Sequence, residues 1–368
     1  MKNREPKANL IIFIVIVIIL IITGLIFIYS ASSIYSLEQY GQSYYFLKKQ
    51  IIALFISFII LIILEYIPKE KIKQYTPLFF IISIIITLFT FVPKIGIKLN
   101  GSRRWIRLLG INFQPSELLK TTSLLYLAYL IDKKNYEIQY SLRVFLKLLS
   151  IIFICTIILL KQPDFGHTVI ISFSALIVIF IANCKLKHMF YSLIIIIIIL
   201  MLVIYIKEYR LQRILTFLNP WQDQKGTGFQ IIQSLIAIGS GNLTGKGIAR
   251  SKQKFFYLPM QHTDFIFSII AEELGFLGAS TIIILYILLF LFGLKIAKEI
   301  INKNSKDLFS YYTVIGYIIL INLQTVINLL VTTGLAPTKG IGLPFISYGS
   351  SALICNILMI GIIKKLNT

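Results

Sequence analysis

Carboxylates placed beside long apolar segments are the first residues in this sequence that could do chemistry. Asp264 follows the segment L-P-M-Q-H-T and opens an apolar run, and Glu272 and Glu273 lie further along the same run. A carboxylate at a cleft can act as a general base when a substrate hydroxyl reaches it. The alternative is structural, because Thr263 or Asp264 could cap the helix that follows.

Arginines in the segment N-G-S-R-R-W-I-R-L-L-G supply the complementary charge. Arg103 and Arg104 directly precede Trp105 and follow the turn signal Asn100-Gly101. The planar guanidinium group suits phosphate oxygens, so we predict that at least one arginine contacts a phosphate. Trp105 is typical of an anchor at the boundary between water and lipid.

Ionisable residues also occur inside or at the edge of apolar runs, where they are costly. Glu117 and Lys120 share a helix face because they are three residues apart. Asp164 and His167 lie in K-Q-P-D-F-G-H, between two other runs. Two interpretations stay open: Glu117 and Lys120 either contact a ligand or only join helices, and Asp164 either faces a ligand or caps the next helix.

Membrane-spanning helices must position these residues. The chain of 368 residues is 57% hydrophobic and 14% charged, whereas soluble domains are about 45–50% apolar and about 25% charged. A run of roughly 20 apolar residues must be helical in lipid, because every backbone polar group has to be paired within the run. The predicted spans lie near 10–30, 49–67, 76–93, 115–131, 144–160, 166–184, 187–206, 264–292, 310–333 and 346–363.

The predicted fold is therefore all-α, a polytopic transmembrane helix bundle of about ten spans in one domain, 1–368. Its large external loop is 207–262, in which Ile231 to Ile238 could form an amphipathic interfacial helix. The glycines that follow allow either a re-entrant turn or close approach of a ligand. The first apolar run is longer than the usual core of a secretory signal, which favours a retained helix.

Lysines and arginines predict the orientation of the bundle. The basic N-terminal segment and Lys364 and Lys365 are assigned to the cytoplasm. The external segments 94–114 and 207–262 then carry 13 basic residues against the expected bias. A long loop can cross regardless of its charge, which accounts for 207–262 but not for 94–114. The pattern predicts an anionic ligand at the outer face, a lipid headgroup or lipid-linked substrate and no nucleic acid.

The cysteines give no indication of a metal site. Cys155, Cys184 and Cys355 have no metal-ligand spacing and are predicted to be small buried side chains.

Six segments together carry a resemblance to a known family. They are N-G-S-R-R-W-I, F-Q-P-S-E-L-L-K, K-Q-P-D-F-G, G-F-Q-I-I-Q-S-L-I-A-I-G-S-G, L-P-M-Q-H-T-D-F-I-F-S-I-I-A-E-E-L-G and P-T-K-G-I-G-L-P-F-I-S-Y-G-S-S. In this order the sequence resembles the SEDS family, the FtsW/RodA/SpoVE group of bacterial cell-wall polymerases. F-L-N-P-W, S-K-Q-K-F-F-Y-L-P and P-T-K-G are more similar to FtsW, while I-A-I-G-S-G-N-L and A-E-E-L-G also fit RodA. Two departures are Ser350, where the family usually has Gly, and Met260, where an acidic residue is common.

The resemblance implies a peptidoglycan glycosyltransferase that polymerises lipid II, with Asp264 as its catalytic residue. It also implies the cytoplasmic (inner) membrane at the division septum, and as partners a class B penicillin-binding protein and other divisome membrane proteins. A divalent cation, Mg²⁺ or Mn²⁺, is one further option. The alternatives are a RodA-like elongation polymerase, a lipid II flippase or transporter, and a scaffold for a transpeptidase. The predicted substrate-binding residues are Arg103, Arg104, Glu117, Lys120, Asp164, Arg213, Gln233, Lys246, His262, Thr263, Glu272, Lys339, Ser347 and Tyr348.

Overall fold

The computed structural model describes residues 5–99, 102–108, 111–205, 208–224, 226, 228–254, 259 and 261–367. Helices dominate this part of the chain. In chain order they are α1 Glu5–Tyr40, α2 Tyr45–Tyr66, α3 Lys69–Leu88, α4 Pro115–Ile138, α5 Leu142–Lys161, α6 Phe165–Ile181, α7 Leu186–Tyr205, α8 Glu208–Leu218, α9 Phe229–Ser240, α10 Ile266–Lys303, α11 Leu308–Thr332 and α12 Ser350–Asn367. Short 3₁₀ turns occur at Phe89–Phe91 and Pro220–Asp223.

The predicted polytopic bundle is confirmed, and each of the ten predicted spans coincides with a helix of the described chain. Among the residues that the structure describes, seven helices are long and apolar enough to cross a membrane: α1, α2, α3, α5, α10, α11 and α12. The apolar helices α6 and α7 are shorter where they are described. α4 is long enough for a span, but it carries the charged pair Glu117 and Lys120.

The centre of the bundle is formed by α4, α6, α11 and α12. Leu119 and Leu127 of α4 and Leu320 of α11 are fully buried. In contrast, only 17% of the apolar window of α2 is buried, against 67% for α11. The peripheral helices thus turn apolar side chains outward, as expected where lipid is the solvent.

Both ends of the chain lie at one end of the bundle. Asn9 near the start of α1 donates a hydrogen bond to Glu299 of α10 (2.5 Å). Lys303 at the end of α10 donates to the backbone oxygen of Asn367 at the end of α12 (3.0 Å). We call this the terminal end, and the opposite end, where α4 and α10 begin, the site end. The arrangement agrees with an even number of crossings.

A small antiparallel sheet between α3 and α4 was not predicted from the sequence. Strand β1 is Gly96–Leu99, β2 is Ser102–Leu108 and β3 is Ile111–Phe113, in the order β1-β2-β3. The expected turn at Asn100 and Gly101 falls outside the described residues. The strands are too short and too basic to stand out between long apolar runs, so only their pairing reveals them.

Helix α10 is interrupted at Gly275, where the backbone has φ 68° and ψ −166°. The segment 242–247 inserts at this break. The amide of Phe276 donates to the carbonyl of Asn242 (2.8 Å), and the amide of Lys246 donates to the carbonyl of Glu272 (3.0 Å). Backbone groups released by the break are therefore paired by the inserted segment, as a buried helix end requires.

Glycines make this close approach possible. A Cβ atom at Gly241 would lie 2.0 Å from the carbonyl oxygen of Ala271, and one at Gly245 would lie 2.2 Å from that of Glu273. Of the two interpretations of the glycine-rich segment, the structure supports the re-entrant turn. The predicted amphipathic helix that precedes it is confirmed as α9.

Candidate active site

Asp264 lies at the site end, just before α10, and its side chain is partly exposed. The N-cap of α10 is Phe265, which makes no side-chain cap, so the alternative role of Asp264 as a helix cap is not observed. The side-chain amide of Asn328 holds the backbone oxygen of Asp264 (2.8 Å). The Oδ2 atom of Asp264 faces Gly340, at 3.6 Å from where a Cβ atom would lie. The carboxylate therefore points at the segment between α11 and α12.

The environment of Asp264 brings the pKa of its carboxyl group close to neutral pH. Burial raises the pKa of Asp264 from 3.8 to about 7, against the lowering effect of Arg213, Arg104 and His167. A group with a pKa near the working pH is well suited to accept a proton from a hydroxyl and to release it again.

Two cations from different elements lie beside the segment that Asp264 faces. Arg213 of α8 donates to the backbone oxygen of Thr338 (3.3 Å). The Nζ atom of Lys339 lies 5.0 Å from the centre of the Phe165 ring, and burial lowers the pKa of this lysine. Within the described ranges, no carboxylate pairs with Arg213 or Lys339. Both cations can therefore accept an anionic ligand.

The structure distinguishes Arg103 from Arg104, which the sequence alone could not do. Arg104 lies at an irregularity of β2, because Trp105 pairs with Ile97 while Arg103 pairs with the next residue, Lys98. Arg104 is half-buried there, whereas Arg103 is exposed. Arg104 donates to the carbonyl oxygens of Gln162 (3.3 Å) and Pro163 in the turn before α6. Arg104 is thus the arginine that reaches toward Asp264.

A buried carboxylate–histidine–carboxylate arrangement lies behind the site. His167 contacts Asp164 through Nδ1 (3.0 Å) and Glu117 through Nε2 (3.0 Å). Asp164 also accepts from the backbone amide of His167 (3.3 Å), so its predicted role as the cap of α6 is observed. The three side chains connect α4 with the start of α6.

The same network continues to the segment after α11. Lys120 is fully buried and pairs with Glu117 at 2.5 Å. It also donates to Gln324 Oε1 (2.8 Å), and the Gln324 amide donates to the carbonyl of Gly342 (2.8 Å). The network therefore runs from Asp164 to the loop that faces Asp264. This supports the interpretation that Glu117 and Lys120 join helices, and their contact with substrate stays a prediction.

Glu272 and Lys246 belong to a separate cluster around the break in α10. Glu272 is fully buried. Its Oε1 atom accepts from Lys246 Nζ (2.6 Å) and from the amide of Lys252 (3.0 Å). Its Oε2 atom accepts from Ser251 Oγ (2.5 Å) and from the amide of Gln253 (3.3 Å). Both oxygens hold the loop in place, so the predicted substrate contact of Glu272 has no geometric support.

The remaining predicted residues divide into two groups. Ser347 donates to the backbone oxygen of Thr263 (2.6 Å), and the amide of Tyr348 donates to that of His262 (2.9 Å), which ties both loops together beside Asp264. Gln233 lies on α9, and within the described chain no contact joins it to Asp264. Of the two departures from the family pattern, Ser350 begins α12 and Met260 lies outside the described residues.

Polar residues inside apolar runs were missed by the sequence analysis. Asn328 holds the backbone of Asp264 and also donates to the carbonyl of Ile341 (2.8 Å). Gln50 of α2 is buried and accepts from the amide of Gly349 (3.2 Å). A polar amide within a predicted span was the available signal, because such side chains face the interior of a bundle and bond across helices.

Together, the fold and the site define a polytopic helical membrane protein. At the bundle end opposite both termini it carries a carboxylate, Asp264, whose pKa is near 7 and which lies among cations. The chain belongs to the family of the cell cycle proteins FtsW, RodA and SpoVE, whose family model matches residues 10–368. It is 38% identical over 347 residues to a probable peptidoglycan glycosyltransferase FtsW of Coxiella burnetii, covering 94% of this chain and 93% of that protein. It is 35% identical over 367 residues to stage V sporulation protein E of Bacillus subtilis, covering 100% of this chain and 99% of the relative.

Solved structures agree with the fold. A chain from a peptidoglycan synthase complex, studied for the coordination of polymerization and crosslinking, matches with a TM-score of 0.77 and 27% identity over 96% of both chains. The rod shape determining protein RodA of Thermus thermophilus matches with a TM-score of 0.70 and 23% identity, over 96% of this chain and 95% of that one. The second likeness is evidence for the fold alone.

Proposed function

We propose that this protein is a peptidoglycan glycosyltransferase that polymerises lipid II at the outer face of the cytoplasmic membrane. The observation that carries the proposal is Asp264, a carboxylate whose pKa burial raises to about 7 and which faces a cationic segment at one end of the bundle. The names of the curated relatives support this reaction. The matching motifs and these relatives favour an FtsW-like role in septal division over a RodA-like role in elongation.

The proposed reaction joins two lipid-linked disaccharides. The 4-hydroxyl oxygen of the acceptor's GlcNAc forms a bond to C1 of the donor's MurNAc. The bond between that C1 and the diphosphate oxygen breaks, and the electron pair leaves with the undecaprenyl diphosphate. Asp264 accepts the hydroxyl proton as the new bond forms. This role requires the ionised carboxylate, which a pKa near 7 makes available at neutral pH.

Positive charge is needed where the diphosphate leaves. Arg213 and Lys339 flank the segment that Asp264 faces, and Arg104 approaches from the sheet. Arginine can pair with two phosphate oxygens at once, which suits a diphosphate better than a single point charge does. We assign these three cations to the leaving group.

A divalent cation would find few ligands in the protein. No three His, Cys, Asp or Glu side chains of the described chain are grouped so as to hold a metal ion. Mg²⁺ or Mn²⁺ could still bind through the substrate's diphosphate with Asp264 as a single protein ligand, since Mg²⁺ often binds through one carboxylate and substrate phosphates. Such an ion would add positive charge at the leaving group, and no step above depends on it.

The proposed partners are a class B penicillin-binding protein, which would crosslink the strands, and other divisome membrane proteins. A matched solved chain comes from a complex that couples polymerization and crosslinking. The described surface also carries exposed apolar side chains on α10, among them Ile284, Ile287 and Leu291. These can contact either lipid or a partner's membrane helix.

Asp264→Asn tests the function directly. The amide has nearly the same shape but cannot accept the proton, so we expect glycan strand formation from labelled lipid II to fall by at least about 100-fold. The assay uses the purified protein, alone and with its penicillin-binding partner, and separates strands by gel electrophoresis.

Asp132→Asn is the matched control. Asp132 is a carboxylate at the terminal end, paired with Lys73 at 2.6 Å, and its replacement should leave strand formation within a few-fold of the unaltered protein. Equal thermal unfolding midpoints would show that Asp264→Asn is folded. Strand formation at the normal rate by Asp264→Asn would contradict the assignment, and lipid II transport without strand formation by the unaltered protein would favour the flippase alternative.

A further inference from the structure

A group of aromatic rings lies close to Asp264 at the site end of the bundle. His262 is separated from Asp264 by one residue, and its ring packs on Phe46 of α2 with ring centres 4.3 Å apart. Tyr348 packs edge-on against Phe46 at 5.0 Å, and Tyr35 of α1 stacks near His262 at 6.0 Å. Four separate parts of the chain thus bring rings to one place.

Two further tyrosines extend this group outward. Tyr40, at the end of α1, stacks on Tyr45, at the start of α2, with ring centres 3.9 Å apart and planes 8° from parallel. Tyr40 is 47% exposed although Tyr45 covers one face of its ring. We call the rings of Tyr35, Tyr40, Tyr45, Phe46, His262 and Tyr348 the aromatic cluster.

The cluster also contains polar groups that a packed core would not need. His262 is only 7% exposed, and no described residue hydrogen-bonds to its Nδ1 atom. Lys49 lies over the Tyr45 ring at 4.2 Å from its centre and donates to its hydroxyl (2.5 Å). A buried polar atom without a partner is unfavourable, because it has lost its hydrogen bonds to water, so a ligand group that bonds to it would be stabilised. Burial lowers the pKa of His262 to about 4, so its imidazole is neutral and can accept a hydrogen bond.

Two chemically different surfaces therefore lie near Asp264. One carries the cations Arg104, Arg213 and Lys339, which suit a diphosphate. The other is the aromatic cluster, with the half-exposed ring of Tyr40 and an unpaired imidazole nitrogen. Aromatic ring faces carry partial negative charge and attract the C–H groups of a sugar ring, while a ring nitrogen can bind a sugar hydroxyl.

We propose that the aromatic cluster is the binding site for the acceptor's sugars, and that the donor's diphosphate lies on the cationic side. The assignment rests on the proposed function and gives the acceptor and the donor separate binding surfaces. The acceptor must present a hydroxyl to Asp264, which stacking of its disaccharide along the cluster achieves. Its own diphosphate then lies beyond Tyr45, where Lys48 is exposed and Lys49 is held by the tyrosine.

The test uses one substrate that is restricted to the donor role and counts only the product that this donor forms. Lipid II whose GlcNAc 4-hydroxyl is blocked by galactose can only be a donor, and unmodified lipid II is varied as the acceptor. The blocked tetrasaccharide product is counted by mass spectrometry. For Tyr40→Ala we expect the acceptor KM to rise roughly three- to tenfold, the range expected for loss of one aromatic contact. The donor KM should stay within about twofold, because the cations are untouched.

Two variants make this result specific. Tyr40→Phe keeps the ring face and should behave like the unaltered protein. Tyr66→Ala removes a tyrosine that is 83% exposed at the other end of α2, where it is typical of a membrane-interface ring, and should change neither KM.

The outcomes separate the two proposals. An unchanged acceptor KM in Tyr40→Ala, or an equal rise in the donor KM, would overturn the acceptor site while leaving the polymerase intact. Equal effects of Tyr40→Ala and Tyr66→Ala would show that the cluster is only an interface anchor. Absence of any product with the unaltered protein and its partner would overturn the polymerase itself, and the acceptor site with it.

Discussion

The surroundings of Asp264 act on the pKa of its carboxyl group in opposite directions. Burial raises the pKa of Asp264, and the positive charges of Arg213 and Arg104 lower it, so the value of about 7 is a balance. The two arginines that we assign to the leaving diphosphate therefore also favour the ionised form of Asp264. A change in any one of them should alter the pH dependence of the reaction as well as substrate binding.

Arg213→Gln makes this link measurable. Asp264 must be ionised to accept a proton, so activity falls as the pH drops through its pKa. Removing a positive charge raises that pKa, and the acid limb of the kcat/KM profile should move upward from near pH 7. Arg250→Gln is the control, because Arg250 is exposed on the external loop and does not act on Asp264. An acid limb that stays in place would remove Asp264 as the titrating base.

Residue spacing predicted part of this site. Glu117 and Lys120 were placed on one helix face from their separation alone, and they form an ion pair. The choice of Arg104 over Arg103 depended on an irregularity in a strand that the sequence did not reveal. The role of Glu272 could not be predicted, because its partners lie about twenty residues earlier, in a loop whose path the sequence does not specify.

At the scale of elements, the break in α10 positions the loop that precedes Asp264. The sequence places a glycine at this break, and glycine weakens a helix. It did not predict that 242–247 fills the break, because this pairing joins distant parts of the chain through backbone atoms. Periodicity reports which face of an element is apolar, and it carries no information about backbone pairing over such distances.

Gly275→Ala should destabilise this arrangement. The backbone at Gly275, with φ 68° and ψ −166°, costs an alanine about 1–3 kcal/mol, and its Cβ atom would lie 2.3 Å from the amide nitrogen of Gly245. We expect a lower thermal unfolding midpoint and reduced strand formation, measured on the same preparation.

Gly239→Ala is the matched control for this substitution. Gly239 lies in α9 with no atom within 4 Å of the added Cβ, and alanine favours a helix over glycine by roughly 0.5–1 kcal/mol. Its midpoint should be unchanged or slightly higher. Equal midpoints for the two variants would mean that the inserted segment does not stabilise the bundle.

The whole molecule combines a lipid-facing exterior with a polar interior that leads to one end. The site lies at the end opposite both termini, and the buried network from Asp164 to Gln324 links the helices behind it. The long apolar runs predicted this bundle, because backbone pairing in lipid leaves helices as the solution for such runs. Its orientation is a prediction from charge, and the external position of the site depends on it.

Cysteine labelling in intact cells tests that orientation. All three native cysteines, Cys155, Cys184 and Cys355, are buried, so they should react little with a membrane-impermeant maleimide. Gln222→Cys introduces an exposed thiol in the external loop, and Ser305→Cys introduces one at the terminal end. With the outer permeability barrier removed but the cytoplasmic membrane intact, the first variant should label and the second should not.

Permeabilising the cytoplasmic membrane should then expose the thiol at position 305 to the reagent. Labelling under that condition shows that this cysteine is itself reactive. The reverse pattern, with 305 labelled from outside and 222 protected, would place Asp264 at the cytoplasmic surface. Glycan strands would then form on the wrong side of the membrane, and the flippase alternative would better suit the charged interior. Labelling therefore decides whether the basic loops gather at the outer face, where the proposed chemistry requires them.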